Sequence, residues 1–106
     1  MKVLTGIIAA ATLMLTTQAF AVDMAAGKAL AQKSGCLACH QVEKKVVGPS
    51  YKDVAAKYKG DKKAEEMLIE KVIKGGKGTW GPVPMPANAK VAPADVKTLV
   101  EWVLAQ

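Results

Sequence analysis

Arginine is absent from this chain of 106 residues: all 15 basic residues are lysine, against nine acidic ones. Nucleic acid is thereby disfavoured as a partner, because arginine is the side chain that reads bases and phosphates bidentately. Histidine occurs once, as His40, and cysteine twice, as Cys36 and Cys39. Three such residues cannot complete a four-ligand zinc site. No apolar run reaches the roughly 20 residues that a membrane-spanning helix needs. The longest, Val3 to Leu15, follows Lys2 and leads to Ala19-Phe20-Ala21, a small-x-small cleavage pattern. That is the anatomy of a secretory signal peptide, with cleavage expected after Ala21; retention as an N-terminal anchor is the alternative. The chain thus reads as a leader, 1–21, and one small domain, 22–106.

Removal of the leader leaves 85 residues, of which 40 are hydrophobic and 13 of those alanine. With the cysteines set aside, about 25 large apolar side chains remain, a marginal core for a domain of this size. A disulfide, a metal or a bound cofactor is the usual supplement. The remaining net charge is +5. In an exported protein that charge suits an anionic membrane or an acidic protein surface.

The two cysteines are three apart and His40 follows directly, so Cys36-Leu37-Ala38-Cys39-His40 is C-x-x-C-H. This is the attachment signature of c-type haem. On a helical turn, residues three and four apart share a face, so two thiols and one imidazole can meet one flat ligand. The thiols can add to the two vinyl groups while the imidazole reaches the iron. A thioredoxin-like pair would need a βαβ context that the flanking sequence lacks. A plain disulfide would leave the adjacent histidine to coincidence.

With His40 the sole imidazole, bis-histidine ligation within one chain is impossible. The other axial position goes to methionine, to a weaker ligand such as lysine, or stays vacant. Met24 falls in a predicted helix and Met67 in a run of helix formers, where a core role is the default. Met85 lies in Pro82-Val83-Pro84-Met85-Pro86, a proline-braced loop that can hold a thioether at low entropic cost. Met85 is the candidate ligand, gap filling its plainer alternative.

The remainder reads as helical scaffold. Asp23 caps a first helix, 24–32, in which Gly27 marks a close crossing. Pro49 and Ser50 open a second helix, 51–59, ended by Gly60. Asp61 caps a third that runs to Lys74, with Leu68, Ile69, Val72 and Ile73 at helical spacing. Pro93 starts a fourth, striped by Val96, Leu99, Val100, Val103 and Leu104. No strand pattern and no repeat is present, so the expected fold class is all-α. Gly75 to Gly78 is not a phosphate loop, because glycine follows Lys77 where serine or threonine is required. The lysine runs are solvated faces by default; functionally they would form a positive rim.

The segments GCLACH (35–40), VGPSYKDVAAKY (47–58), GTWGPVPMPANA (78–89) and LVEWVLAQ (99–106) together resemble a class I c-type cytochrome, of the small bacterial monohaem c-551/c-552 family. The resemblance implies about four short helices wrapped around one covalently bound haem c. It implies thioether bonds from Cys36 and Cys39, and axial ligation by His40 and Met85. Pro49 would orient the histidine through its carbonyl, Trp80 would bond a haem propionate, and Asn88 would contact the methionine sulfur. Lys71 lies where some relatives carry a basic residue near a propionate, with lysine here in place of arginine. Gly27 would lie where the first and last helices cross, beside Trp102.

The implied function is a periplasmic electron carrier of a respiratory chain, not an enzyme, and monomeric. Its partners would be redox proteins with acidic docking surfaces. A quinol-oxidising complex is a candidate donor; nitrite reductase, a peroxidase or a terminal oxidase are candidate acceptors. No nucleic acid and no stable membrane insertion after leader cleavage are expected. The alternative is a gas-binding cytochrome with a vacant sixth position. In four-helix-bundle relatives of that sort the haem motif lies near the C-terminus, whereas Cys36 is fifteenth after the predicted cleavage.

Overall fold

A computed structural model describes residues 22–106. The predicted leader, 1–21, lies outside the described residues. The described residues form four α-helices: α1 (Met24–Lys33), α2 (Tyr51–Lys57), α3 (Ala64–Lys74) and α4 (Pro93–Leu104). Among the described residues there is no strand, only isolated bridges joining His40 to Lys45 and Gly76 to Met85. The all-α expectation is met. No helix among the described residues is long and apolar enough to cross a membrane.

Local chemistry sets the helix starts. The Asp23 carboxylate accepts from the Ala26 N–H at 3.0 Å, and the Ser50 hydroxyl from the Asp53 N–H at 3.1 Å. Each satisfies an amide that a helix start would otherwise leave without a partner. Pro93 opens α4, where its missing N–H costs nothing. Two boundaries differ from expectation. The second helix ends at Lys57, because Tyr58 has already left helical geometry at φ −102° and ψ 12°. The third starts at Ala64 and not directly after Asp61, whose carboxylate accepts from the Lys63 N–H at 2.9 Å. That bond closes a separate turn ahead of the helix.

Helix α4 is the centre of the fold and touches α1, α2 and α3. Its Val96, Leu99, Val100 and Trp102 are buried, together with Ala31, Tyr51, Val54 and Ala64. At the α1–α4 crossing, a Cβ on Gly27 would overlap Cβ, Cγ and Cδ1 of Trp102. The glycine is what lets the indole lie against the helix backbone. The core role expected by default for Met24 and Met67 is not what the structure shows, since they are 45% and 40% exposed. Met24 is the first residue of α1, and Met67 lies off the inward row of Ala64, Leu68 and Val72.

One polar feature of the helix packing titrates. Glu65, in the first turn of α3, has a carboxylate oxygen closed off from water with no hydrogen-bond partner among the described residues. Once protonated, Glu65 can share its hydrogen with the Glu101 carboxyl of α4, and this, then burial and the Glu101 charge, raises its pKa. Lys97 stands 3.8 Å from Glu101 and opposes the shift, while Glu66 adds to it. The folded state therefore favours protonated Glu65. This contribution is complete below the ordinary carboxyl range and fades as pH rises through the raised value. Glu65→Gln should raise the denaturation midpoint at pH 7 relative to wild type and leave it nearly unchanged at pH 4. Equal midpoint shifts at both values would contradict this.

Candidate haem-binding site

Below α1 the chain turns at Gly35, with φ +77°, into a single 3-10 turn spanning Cys36–Ala38. The Cys39 and His40 amides both donate to the Cys36 carbonyl, at 3.2 and 2.9 Å. One helical turn thus carries all three motif residues, as their spacing requires. Cys36 is half-buried, Cys39 is exposed, and the two are not bonded to each other. Burial pushes the Cys36 thiol above its ordinary pKa, with a Tyr51 hydrogen bond opposing. The environment is apolar and the thiol neutral.

The segment after His40 folds back onto it. Val47 and Gly48 donate their amides to the Cys39 carbonyl at 3.1 and 2.8 Å, and Tyr51 donates to Gln41 at 2.9 Å. This return puts the Pro49 carbonyl 2.8 Å from His40 Nδ1. A carbonyl only accepts, so Nδ1 carries the hydrogen and Nε2 keeps its lone pair. A Cβ on Gly48 would overlap His40 Cε1, so only glycine admits the ring in this place. Tyr51 stacks on the imidazole with centroids 5.0 Å apart and planes 18° apart. Trp102 meets Tyr51 edge-on at 5.3 Å. Burial raises the Tyr51 pKa, so its phenol stays protonated. The imidazole is thereby tied through Tyr51 and Trp102 to the α1–α4 crossing.

Met85 is fixed from the other end of the sequence. Helix α3 stops at Gly75, with φ +76°, where a Cβ would lie 2.5 Å from the Met85 carbonyl oxygen. Gly76 and Met85 then exchange both backbone hydrogen bonds, at 3.1 and 2.7 Å, closing residues 77–84 into a loop. The Asn88 amide side chain donates to the carbonyls of Val72 and Pro86 at 3.3 and 3.2 Å. Its backbone N–H also donates to Val72, at 3.0 Å. The chain on either side of Met85 is thus anchored to the end of α3.

Between these two supports lies a cleft with about 1320 Å³ of empty space, open solvent at its mouth included. Cys36, Cys39, His40, Pro49, Trp80 and Met85 all line it; Asn88 does not. Its apolar wall comes from Val54 of α2, Leu68 and Val72 of α3, and Leu99, Val100 and Val103 of α4. Lys45, Lys71 and Lys77 are the lysines on its lining. The Lys71 side chain lies across Gly76, where a Cβ would be 2.7 Å from its Nζ.

Sequence reasoning missed Tyr51 and Gly48 as supports of His40. It read the helix stripes as scaffold wrapped around the haem without saying which of their residues face it; Leu68, Val72 and Val103 line this cleft. Periodicity carried the stripes but not their destination, and no local signal marked Tyr51 as the histidine's stacking partner.

The donor set fits c-type haem: two unpaired thiols on one turn, an imidazole with its Nε2 lone pair free, and a large apolar cleft that both border. Among the described residues no three His, Cys, Asp or Glu side chains cluster to hold a bare metal ion. The family model of cytochrome c matches residues 24–106. Cytochrome c-551 of Allochromatium vinosum is 56% identical over 89 residues, covering 84% of this chain and 95% of that protein. Cytochrome c-551 of Pseudomonas aeruginosa is 49% identical over 77 residues, covering 73% of each chain. The crystal structure of Nitrosomonas europaea cytochrome c552 superposes with a TM-score of 0.72 at 50% identity, covering 74% of this chain and 96% of that one. The chain therefore belongs to the cytochrome c family, as a small class I c-type cytochrome of the c-551/c-552 kind: a haem c electron carrier with covalently bound haem, and not an enzyme.

Proposed function

We propose that His40 and Met85 are the two axial ligands and that the protein shuttles single electrons between respiratory partners in the periplasm. The observation that carries this reading is that an imidazole with its Nε2 free and a methionine on an anchored loop border one apolar cleft. When bound, haem supplies a one-electron centre that alternates between ferrous and ferric iron. Everything else falls to the chain.

Cys36 and Cys39 fix the macrocycle covalently. His40 presents Nε2, and the Pro49 carbonyl on Nδ1 sets its tautomer and raises its basicity. Met85 offers a soft thioether that stabilises the reduced state relative to a second histidine. Trp80, on the cleft lining, would donate its indole N–H to a propionate. Asn88 serves the methionine loop by tying it to Val72, and contact with the sulfur would add to that role. With His40 and Met85 both engaged, the haem would offer substrate no open site, which would suit transfer of electrons without bond making.

Residues 1–21 act as the export leader and 22–106 as the working domain, monomeric and free of the membrane. The cleft-lining lysines Lys45, Lys71 and Lys77 favour partners with acidic docking faces, such as a quinol-oxidising donor and a reductase, peroxidase or oxidase acceptor. Reduction of the ferric holoprotein by an anionic metal complex should slow as salt rises, and reduction by a cationic complex should quicken. A rate indifferent to salt with both reagents would contradict the lysine steering.

A further inference from the structure

The loop 77–84 is tied at its base and bare at its tip. Gly76 and Met85 close the base through their backbone pair, and inside the loop the Gly78 amide donates to the Gly81 carbonyl at 2.9 Å. Among the described residues no hydrogen bond or ion pair joins 77–84 to another element. Trp80, at this tip, lines the cleft and is 40% exposed. One side chain reaches it with a directed polar contact. The Lys57 ammonium, from the last turn of α2, lies 5.6 Å from the centre of the Trp80 ring and 5.8 Å from that of Tyr58. Both distances are within cation–π range. Helix α2 is itself firmly seated, because Tyr51 and Val54 are buried on the side it turns toward α4.

We propose that Lys57, the last residue of α2, is a positioning residue for the axial-ligand loop, its ammonium joining the adjacent Tyr58 ring to Trp80 of the loop tip. The bridge slows opening of the loop and so slows loss of Met85 from its place at the cleft. The lysine runs of this chain then include one member with a task inside the molecule as well as any on its surface. The effect on loop opening rests on the contact alone; its effect on the iron rests on the reading of Met85 as ligand.

The test uses the haem-loaded full domain and three variants: Lys57→Met, which keeps the stem and removes the charge, Lys57→Arg, which keeps the cation, and Lys57→Met in a Trp80→Leu background. Two readouts are taken. Hydrogen exchange of the Gly78 and Met85 amides reports loop opening whatever ligates the iron, and the rate of cyanide entry into the ferric protein reports loss of the ligand. Lys57→Met should speed both by about two- to fivefold, the factor an exposed cation–π contact is worth. Lys57→Arg should stay near wild type, and the Lys57→Met effect should vanish in the Trp80→Leu background. Unchanged exchange in Lys57→Met, or an effect of equal size without Trp80, overturns the bridge. Faster exchange with unchanged cyanide entry sustains the bridge and instead overturns Met85 as the group that cyanide displaces. Because Lys57 is exposed, neither of its single replacements threatens the fold.

Discussion

Met85→Ala should turn the haem-loaded protein from a closed, low-spin carrier into one with an accessible axial position. The expected signs are loss of the methionine-to-iron charge-transfer band of the ferric form and binding of exogenous ligands at neutral pH. The midpoint potential should fall by on the order of 0.1 V, since a methionine thioether favours the ferrous state and axial ligands set the potential over about 0.8 V across haem proteins. The polypeptide should survive the change. Met85 holds its place through backbone bonds to Gly76, which alanine retains, and Gly75 and Asn88 continue to anchor the loop. A half-buried methionine cut to alanine costs about 1–3 kcal/mol at such a site. Potentiometry and the ferric spectrum check the claim. A variant with wild-type potential and spin state would show that the sixth ligand lies elsewhere.

Replacing both Cys36 and Cys39 by serine should have the larger effect on the fold. Without thiols no haem is attached, and the cleft walls lose the group they face. The buried core among the described residues is Ala31, Tyr51, Val54, Ala64, Val96, Leu99, Val100 and Trp102, of which two are alanine. Val72 and Leu68, which line the cleft, would be left facing water or collapsing inward. A single core in so small a domain supplies on the order of 3–5 kcal/mol, a margin that an uncovered apolar cleft erodes. The double variant should therefore lack the near-ultraviolet dichroism of a fixed Trp102 and unfold without a cooperative transition. The haem-loaded wild type should show both. A stable, cooperatively unfolding, haem-free chain would contradict the view that the cofactor completes this core.

How far the sequence alone could be read follows from which interactions are local. The starts of α1, α2 and α4 are written in Asp23, Ser50 and Pro93, because a cap acts within three residues of itself. Asp61 gave a capping signal too, but its carboxylate serves Lys63 in a turn, and nothing local tells one use from the other. The haem motif is legible for the same reason as the caps: Cys36, Cys39 and His40 lie on a single turn. That Met85 sits in a fixed loop was legible from the prolines on either side of it, and the structure puts that loop at the cleft.

What stayed hidden depends on the chain returning to a distant place. The bond between the Pro49 carbonyl and His40 was expected from family resemblance alone. It needs the 41–48 segment to fold back onto Cys39, and spacing cannot show that. Tyr51 beneath the imidazole and Gly48 beside it depend on the same return. Met24 and Met67 show the converse limit. Residue type favours burial for both, yet one sits at a helix start and the other off the inward row. The Lys57 bridge was hidden inside a pattern that reads as plain surface charge, since Trp80 lies 23 residues further on and only the fold brings them together.

A haem closed by His40 and Met85 should pass electrons and bind no exogenous gas. Carbon monoxide tests it most directly, added to the ferrous wild-type protein at neutral pH without denaturant and followed by visible absorption. The account predicts an unchanged spectrum at saturating gas, with carbon monoxide binding gained in Met85→Ala. Ready, stoichiometric binding by the wild type would contradict it and place the protein among cytochromes with an open axial position.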